Sequence, residues 1–146
     1  MNTKSTTLAL IAGAIAAGIA FPATAQAGVA PSFQTPSGNI LCWMAENAAA
    51  CHIVDYTYSV KQLPADCAPA GWASSFRLYE GKQPYMSCNE SPPGTYQGPR
   101  TDETLEYGQT RSVGVMTCNS EPSGVTCTDN STGHYFRVSR DSYQLG

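Results

Sequence analysis

The sequence predicts a small all-β domain that is stapled by disulfide bonds. Short runs rich in Val, Thr, Tyr and Phe are separated by Gly, Pro, Asn and Ser, and no long segment beyond the N-terminal leader has helical periodicity. Six cysteines follow the leader, and four of them form two identical C-x8-C brackets, Cys42 with Cys51 and Cys118 with Cys127. We therefore expect antiparallel hairpins or a meander, with no substantial helix after the leader.

Residues 1–27 have the features of a secretory signal peptide. Lys4 gives a basic start, residues 8–21 are apolar, and small residues up to Ala27 provide an A-x-A exit. The apolar run is shorter than the roughly 20 residues that a transmembrane helix needs. We expect cleavage after Ala27 to release residues 28–146 as a single β domain, secreted or held in the cell envelope, without a membrane anchor.

The charge and composition of the chain limit the kinds of molecule that we expect it to bind. The leader contains one lysine and no acidic residue, so the net charge of −3 for the whole chain becomes −4 after cleavage. The five arginines are spread along the chain, which gives no basic footprint for nucleic acid or anionic lipid. The sequence has no C-x-x-C pair and no other ligand pattern for a metal, so we expect neither a metal nor another cofactor.

Seven runs of β-forming residues are expected to be strands: 39–44, 51–58, 76–79, 85–88, 112–118, 125–129 and 135–139. The first two flank a Glu46-Asn47 turn, and the next two flank Glu80-Gly81-Lys82, in which glycine can adopt a positive φ.

Two segments are less regular. Residues 72–80 also fit two turns of helix through Trp72, Phe76 and Tyr79, but the alternation of Phe76 and Leu78 favours a strand. Residues 89–104 are rich in Pro and Gly and poor in apolar residues, so we expect a long surface loop.

The cysteine spacing favours one disulfide pattern. An exported chain with an even number of cysteines normally forms disulfides, and six cysteines allow fifteen pairings. A tight hairpin brings residues with about eight others between them into cross-strand register, so each bracket is expected to close its own hairpin. The remaining pair, Cys67 with Cys88, would enclose a third hairpin. A bridge that joins one hairpin to another is the alternative.

Histidine chemistry is the first candidate for function. His52 lies in a predicted strand, where we expect it to face solvent or the rim of the core. His134 follows Gly133 in a polar segment, residues 129–141, from which a Ser/His/Asp set could be assembled, but no catalytic signature frames it. We expect the His134 side chain to hold the Asn130–Gly133 turn by hydrogen bonds, and we assign no catalytic residue.

Aromatic side chains are the second candidate. We expect Trp43, Phe76 and Phe136 to fill the core, since the domain has few large aliphatic residues. Exposed tyrosines on a sheet could stack on sugar rings or contact a protein. The candidate binding surface therefore consists of Tyr56, Tyr58, Tyr79, Tyr96 and His134.

The sequence also resembles a family of small secreted actinobacterial proteins of unknown function. The resemblance lies in the opening F-x-T-P-S-G-N-I-x-C segment ending at Cys42, in the six cysteines, and in the closing G-V-T-C, T-G-H and S-R-x-x-Y segments that end at Tyr143. It covers nearly all of the chain beyond the leader. Tyr135 departs from the pattern, which often has a second Gly before the Phe. The resemblance implies an exported six-cysteine domain and no particular activity.

We interpret the chain as a secreted, non-catalytic binding or structural module whose partner is an envelope or extracellular protein or a glycan. Two alternatives remain open: a small enzyme or toxin that uses the polar cluster around His134, and a protease inhibitor that presents residues 89–104. The sequence determines neither the ligand nor the oligomeric state.

Overall fold

The computed structural model describes residues 32–60, 67, 74–88 and 103–146, and among these it contains strands and turns but no helix. The all-β prediction is therefore confirmed. Within the described residues, no helix is long and apolar enough to cross a membrane.

The first sheet has six strands in the order β5-β4-β3-β2-β1-β6. All of its neighbours are antiparallel except β1 and β6, which are parallel. Its strands are β1 (Ser32–Gln34), β2 (Ile40–Ala45), β3 (Ala48–Ile53), β4 (Ser75–Tyr79), β5 (Tyr85–Ser87) and β6 (Glu103–Thr104).

The second sheet is an antiparallel meander of five strands in the order β11-β10-β9-β8-β7. Its strands are β7 (Thr110–Val113), β8 (Met116–Glu121), β9 (Gly124–Asp129), β10 (Tyr135–Val138) and β11 (Tyr143–Leu145). The two sheets pack face to face, with β4 against β9 and β10, and β3 against β8.

The boundaries differ from the predicted ones where a turn or a short strand decides them. The predicted strand 112–118 is divided into β7 and β8 by a turn at Gly114, whose φ is +56°. The predicted strand 51–58 starts earlier, at Ala48, and ends at Ile53. Strands β1, β6 and β11 were not predicted, because two or three residues are too few to show an alternating pattern. Strand β6 also takes the last two residues of the predicted 89–104 loop, whose residues 89–102 lie outside the described part.

Alternation along the strands sorts residues between the core and the outer faces. Phe76 and Phe136 are completely buried, and their ring centroids lie 6.0 Å apart across the two sheets. Trp43 differs from the prediction: it is only half-buried, because it lies between the inward-facing Cys42 and Met44 and so points to the opposite face of β2.

The three disulfides join the pairs that the spacing predicts, Cys42–Cys51, Cys67–Cys88 and Cys118–Cys127. Two of these bridges, the core bridges Cys42–Cys51 and Cys118–Cys127, join residues directly opposite in the β2–β3 and β8–β9 hairpins. They meet at the centre of the core, where the Sγ atoms of Cys51 and Cys127 are 3.8 Å apart without a bond between them.

The two sides of the sandwich are closed by different side chains. On one side, Arg111 of β7 donates hydrogen bonds to the Ser32 carbonyl (3.2 Å) and the Glu103 carboxylate (2.6 Å), and its guanidinium lies 5.5 Å from the centre of the Phe33 ring. On the other side, the ring of Tyr58 packs against that of Tyr143, with their centroids 5.1 Å apart. The two ends of the sandwich are formed by the turns that connect the strands.

Removal of a core bridge in a Cys118→Ala/Cys127→Ala variant is expected to lower the free energy of unfolding by about 5 kcal/mol. Loop closure accounts for about 3 kcal/mol, and the loss of packed sulfur adds about 2 kcal/mol. The matched control is Cys67→Ala/Cys88→Ala, which removes a half-buried bridge and should cost only about 3 kcal/mol. Urea unfolding followed by tryptophan fluorescence measures both values. A larger loss from the control pair would contradict this account.

Candidate binding groove at the open end

The two ends of the sandwich differ in how the sheets are joined. At one end, which we call the closed end, hydrogen bonds cross between turns of the two sheets: Val115 N donates to Glu46 O (2.9 Å), and Gly81 N donates to the Asp129 carboxylate (2.8 Å). At the other, the open end, the turns leave a groove of about 430 Å³ between them. The open end therefore offers room for a ligand.

Two copies of the sequence Pro-Ser-Gly face each other across this groove. Residues 36–38 form the turn between β1 and β2, where Gly38 has a φ of +69° and its N–H donates to Thr35 O (2.8 Å). Pro122 and Ser123 form the turn between β8 and β9, and Gly124, with a φ of +125°, begins β9. The groove is lined from both sheets because these two turns belong to different sheets but lie at the same end.

A third wall comes from the segment after β3. The Asn39 side chain is held on both sides by the Asp55 backbone: its amide donates to Asp55 O (2.9 Å), and its oxygen accepts from Asp55 N (2.8 Å). Thr57 N donates to Arg140 O (2.7 Å), which ties this segment to the β10–β11 turn of the second sheet. The wall is rigid because its backbone groups, and not only its side chains, are hydrogen-bonded.

The fourth wall is the β10–β11 turn, which is organised by the buried Ser139 hydroxyl. This hydroxyl donates to the Asp141 carboxylate (2.7 Å) and accepts from Ser142 N (3.1 Å). The hydrogen bond from Ser139, with smaller contributions from the Asp141 backbone and from Arg137, lowers the pKa of Asp141. The Ser139 hydroxyl is therefore used in the hydrogen bonds that hold this turn.

Three polar side chains on the groove remain uncommitted. Among the residues that the structure describes, the Arg140 guanidinium, the Asp55 carboxylate and the Tyr107 hydroxyl have no hydrogen bond or ion pair. The Glu121 carboxylate has one weak contact, from the Ser123 hydroxyl at 3.3 Å. The groove therefore presents the Arg140 cation, the Asp55 and Glu121 anions and the Tyr107 phenol. The other backbone and hydroxyl groups described around it are hydrogen-bonded within the protein.

The polar cluster around His134 lies at the closed end, and its centre is Asp129. The Asp129 carboxylate is completely buried and accepts hydrogen bonds from Ser131 N (2.8 Å), the Ser131 hydroxyl (2.6 Å), the Thr132 hydroxyl (2.8 Å) and Gly81 N (2.8 Å). Burial opposes ionisation, but the bonds from Ser131, Gly81 and Thr132 together outweigh it and hold the pKa of Asp129 well below its usual value. Asp129 joins its own turn to the β4–β5 turn of the other sheet.

This arrangement corrects the expectation for His134. The turn that follows β9 is held by Asp129, whereas the His134 ring reaches across to Gln83, with 3.4 Å between its Nε2 and the Gln83 Nε2. Only the His134 backbone serves the turn, since its N–H donates to the Thr132 hydroxyl (3.2 Å) and its carbonyl accepts from Asp129 N (2.8 Å). No signal in the sequence singled out Asp129 from its polar neighbours.

The tyrosines of the candidate binding surface are divided between different parts of the molecule. Tyr56 and Tyr58 stack with their centroids 4.4 Å apart and pack against the core. Burial, with the neighbouring Tyr56 and Tyr143, raises the pKa of Tyr58. Tyr79 stacks instead on Tyr85 near the closed end, with 6.4 Å between centroids, and Tyr96 lies outside the described residues. Sequence reasoning missed the groove. Its one trace in the sequence is the tripeptide Pro-Ser-Gly, which occurs at residues 36–38 and 122–124.

One group of potential metal ligands occurs among the described residues. The Sγ atoms of Cys42, Cys51 and Cys127 lie within 4.8 Å of one another. Each of these sulfurs is bonded in a disulfide and so offers no thiolate, the form in which cysteine binds metal. This group is a structural feature of the oxidised core.

The sequence pattern of a family described as a family of unknown function (DUF6636) matches residues 13–145. No curated protein and no solved structure matches the chain.

An Asp129→Asn variant is expected to lower the melting temperature at pH 7 by roughly 10 °C, because the neutral amide accepts fewer and weaker hydrogen bonds and places an N–H₂ group against buried donors. The stabilisation from the native carboxylate is fully present above its unfolded pKa of about 4 and is lost as the pH falls toward its lower folded pKa. The gap between the two proteins should therefore narrow below about pH 4. Asp55→Asn is the control, since that carboxylate is exposed. A gap that stays constant down to pH 2 would refute this role of the charge.

A Gly124→Ala variant is expected to lose more than about 3 kcal/mol of unfolding free energy, since the new methyl group would overlap the Val138 carbonyl oxygen at a φ of +125°. Gly38→Ala is the matched change on the opposite wall, where nothing lies within 4 Å of the added carbon. Its cost should be about 1 kcal/mol, from the positive φ alone. Thermal unfolding followed by circular dichroism compares the two, and equal costs would mean that the close approach at Gly124 is absent.

Proposed function

The chain belongs to DUF6636, a family of unknown function, and we propose from its own geometry that it is a secreted, non-catalytic binding module whose ligand site is the open-end groove. The observation that carries the proposal is the difference between the two ends of one sandwich. Hydrogen bonds between turns of the two sheets fasten the closed end. At the open end, Thr57 N bonds to Arg140 O, but the turns of both sheets still leave about 430 Å³ between them. Ligand pockets of this kind are concave and largely preformed.

The uncommitted groups of the groove indicate the chemistry of the ligand. Arg140 is suited to a carboxylate, and Asp55 and Glu121 are suited to an ammonium group. Tyr107, which is 42% exposed, offers a flat apolar surface beside them. A ligand that carries both an anionic and a cationic group, such as a short peptide with both termini free, matches this combination. The natural partner would then be a peptide or protein of the envelope or the extracellular medium.

The same geometry favours binding over catalysis. Among the residues that the structure describes, those lining the groove include no histidine or cysteine, and the hydroxyls of Ser37 and Ser139 are engaged in local hydrogen bonds. At the alternative site, Asp129 uses its oxygens on Gly81, Ser131 and Thr132, and within the described part of the chain the His134 ring contacts Gln83 rather than a carboxylate. A general base needs such a partner and a nucleophile within about 3 Å.

Export is part of the proposal. Residues 1–27 would be removed as a signal peptide, and the domain would act in the secretome or envelope of an actinobacterium. The three disulfides are consistent with an extracellular protein, since such bonds persist in oxidising compartments. The inhibitor alternative depends on residues 89–102, which lie outside the described part.

The binding site can be tested with trialanine carrying free termini as the probe, added to the ¹⁵N-labelled, oxidised protein. Its amide shifts are expected to change at the open end, at Asn39, Asp55 and Gly124, and to stay unchanged at Gly81 and Ser131 of the closed end. Arg140→Gln should weaken the apparent affinity about tenfold, the value of one charge-assisted hydrogen bond.

Two controls make the result specific. Lys82→Gln changes the net charge equally but lies in the β4–β5 turn of the closed end, so it should bind trialanine like the native protein. Trialanine with an acetylated N-terminus and an amidated C-terminus should bind at least tenfold more weakly. Shifts confined to the closed end, or equal losses in both arginine and lysine variants, would overturn the assignment of the groove.

A further inference from the structure

The core bridges are in contact with each other, which the hairpin positions of the cysteines do not require. The Sγ atoms of Cys51 and Cys127 belong to different bridges and different sheets, yet they lie 3.8 Å apart. All four core cysteines are at most 1% exposed. We infer that the core can form an alternative disulfide, Cys51–Cys127. This bond would form by exchange when either core bridge is reduced, and it would link the two sheets covalently.

Contact between the Cys51 and Cys127 sulfurs makes this exchange possible. A thiolate attacks a disulfide sulfur directly, so the rate depends on which sulfur it can reach. The distance of 3.8 Å between Cys51 and Cys127 is close to van der Waals contact, and burial keeps solvent thiols away from the same atoms. The exchange is therefore an internal reaction between neighbouring strands β3 and β9 of opposite sheets.

The first step is the reduction of one core bridge by a dithiol reductant during local opening. The Cys118–Cys127 bond breaks, both cysteines become thiols, and the dithiol is oxidised to its own disulfide, with two electrons and two protons transferred. In the second step, the Cys127 thiolate attacks Cys51. The Cys51–Cys127 bond forms, the Cys42–Cys51 bond breaks, and the electron pair leaves on the Cys42 sulfur, which takes up the proton that Cys127 released.

The opposite order gives the same product. If Cys42–Cys51 is reduced first, the Cys51 thiolate attacks Cys127 and expels Cys118. Both routes end with one bridge between the sheets and with thiols at Cys42 and Cys118. The product therefore does not depend on which core bridge opens first.

The alternative bridge constrains the chain more than either bridge that it replaces. Cys51 and Cys127 are 76 residues apart, whereas each core bridge spans 9 residues. On the loop-entropy account, a longer closed loop removes more freedom from the unfolded chain. Partial reduction thus produces a sandwich whose sheets are tied to each other, while each central hairpin loses its own bridge.

The test is a Cys42→Ser/Cys118→Ser variant of the full oxidised protein. Its remaining core cysteines are expected to form the bridge, so that thiol titration under denaturing conditions finds no free thiol. The matched control, Cys51→Ser/Cys127→Ser, leaves Cys42 and Cys118, which should titrate as two thiols. A folded Cys42→Ser/Cys118→Ser protein with two free thiols would overturn the inference.

A second measurement does not depend on the folding of that variant. Cys67→Ser/Cys88→Ser removes the half-buried bridge, which a reductant would reach first. Brief treatment with dithiothreitol, alkylation and peptide mapping should then give a Cys51–Cys127 linked peptide as the main form of singly reduced protein, with Cys42 and Cys118 alkylated. If the singly reduced protein retains only Cys42–Cys51 or Cys118–Cys127, no exchange occurs and the inference is wrong.

Discussion

The contact between the two core bridges is the constraint on which the rest of the fold depends. The central hairpins β2–β3 and β8–β9 each carry a disulfide between directly opposite residues, and the two bridges meet between the sheets. This contact brings the inward faces of the two hairpins together at one depth, and the large core side chains Phe76, Phe136 and Met116 pack around it. A chain with few large aliphatic residues can thereby build a dry centre from sulfur and aromatic rings.

Because the disulfides hold the hairpins together at their middles, the closed end and the open end can differ in how their turns are stabilised. At the closed end, a buried Asp129 carboxylate satisfies donors from both sheets, and the desolvation that it suffers is offset by four hydrogen bonds. At the open end, the turns are satisfied by backbone and side-chain groups of the same end, including the bond from Thr57 N to Arg140 O. Their charged side chains are consequently left for another molecule, as the proposed function requires.

The repeating features of the sequence predicted the fold well. Alternating β-forming residues and turn signals gave the all-β class, and equal spacing of Cys42–Cys51 and Cys118–Cys127 predicted two hairpin disulfides. The prediction failed where a tertiary contact decides the local structure. Gly114 turns the chain because its neighbour across the sandwich, Glu46, leaves no room for a side chain. Trp43 is excluded from the core by the phase of its strand, which is set by Cys42.

The candidate site could be predicted only in part, for a related reason. Two Pro-Ser-Gly turns are visible in the sequence, but that they share one end of the sandwich follows from the sheet order, which no local pattern contains. Asp129 was indistinguishable from its polar neighbours, because its importance comes from Gly81 in a distant turn. Conversely, the tyrosines were predicted to form an exposed binding surface, but Tyr58 packs against the core.

In the part of the chain that the structure describes, the outermost strands of both sheets are short, and this limits the edges that they offer to other chains. The four edge strands β5, β6, β7 and β11 have only two to four residues each, whereas β2, β3, β8 and β9 have six. A long free edge is a template on which another chain can add its own strand, and such edges lead to aggregation and fibrils. Among the described strands, the long ones are enclosed and the borders are brief, which leaves little edge on which another chain could add a strand.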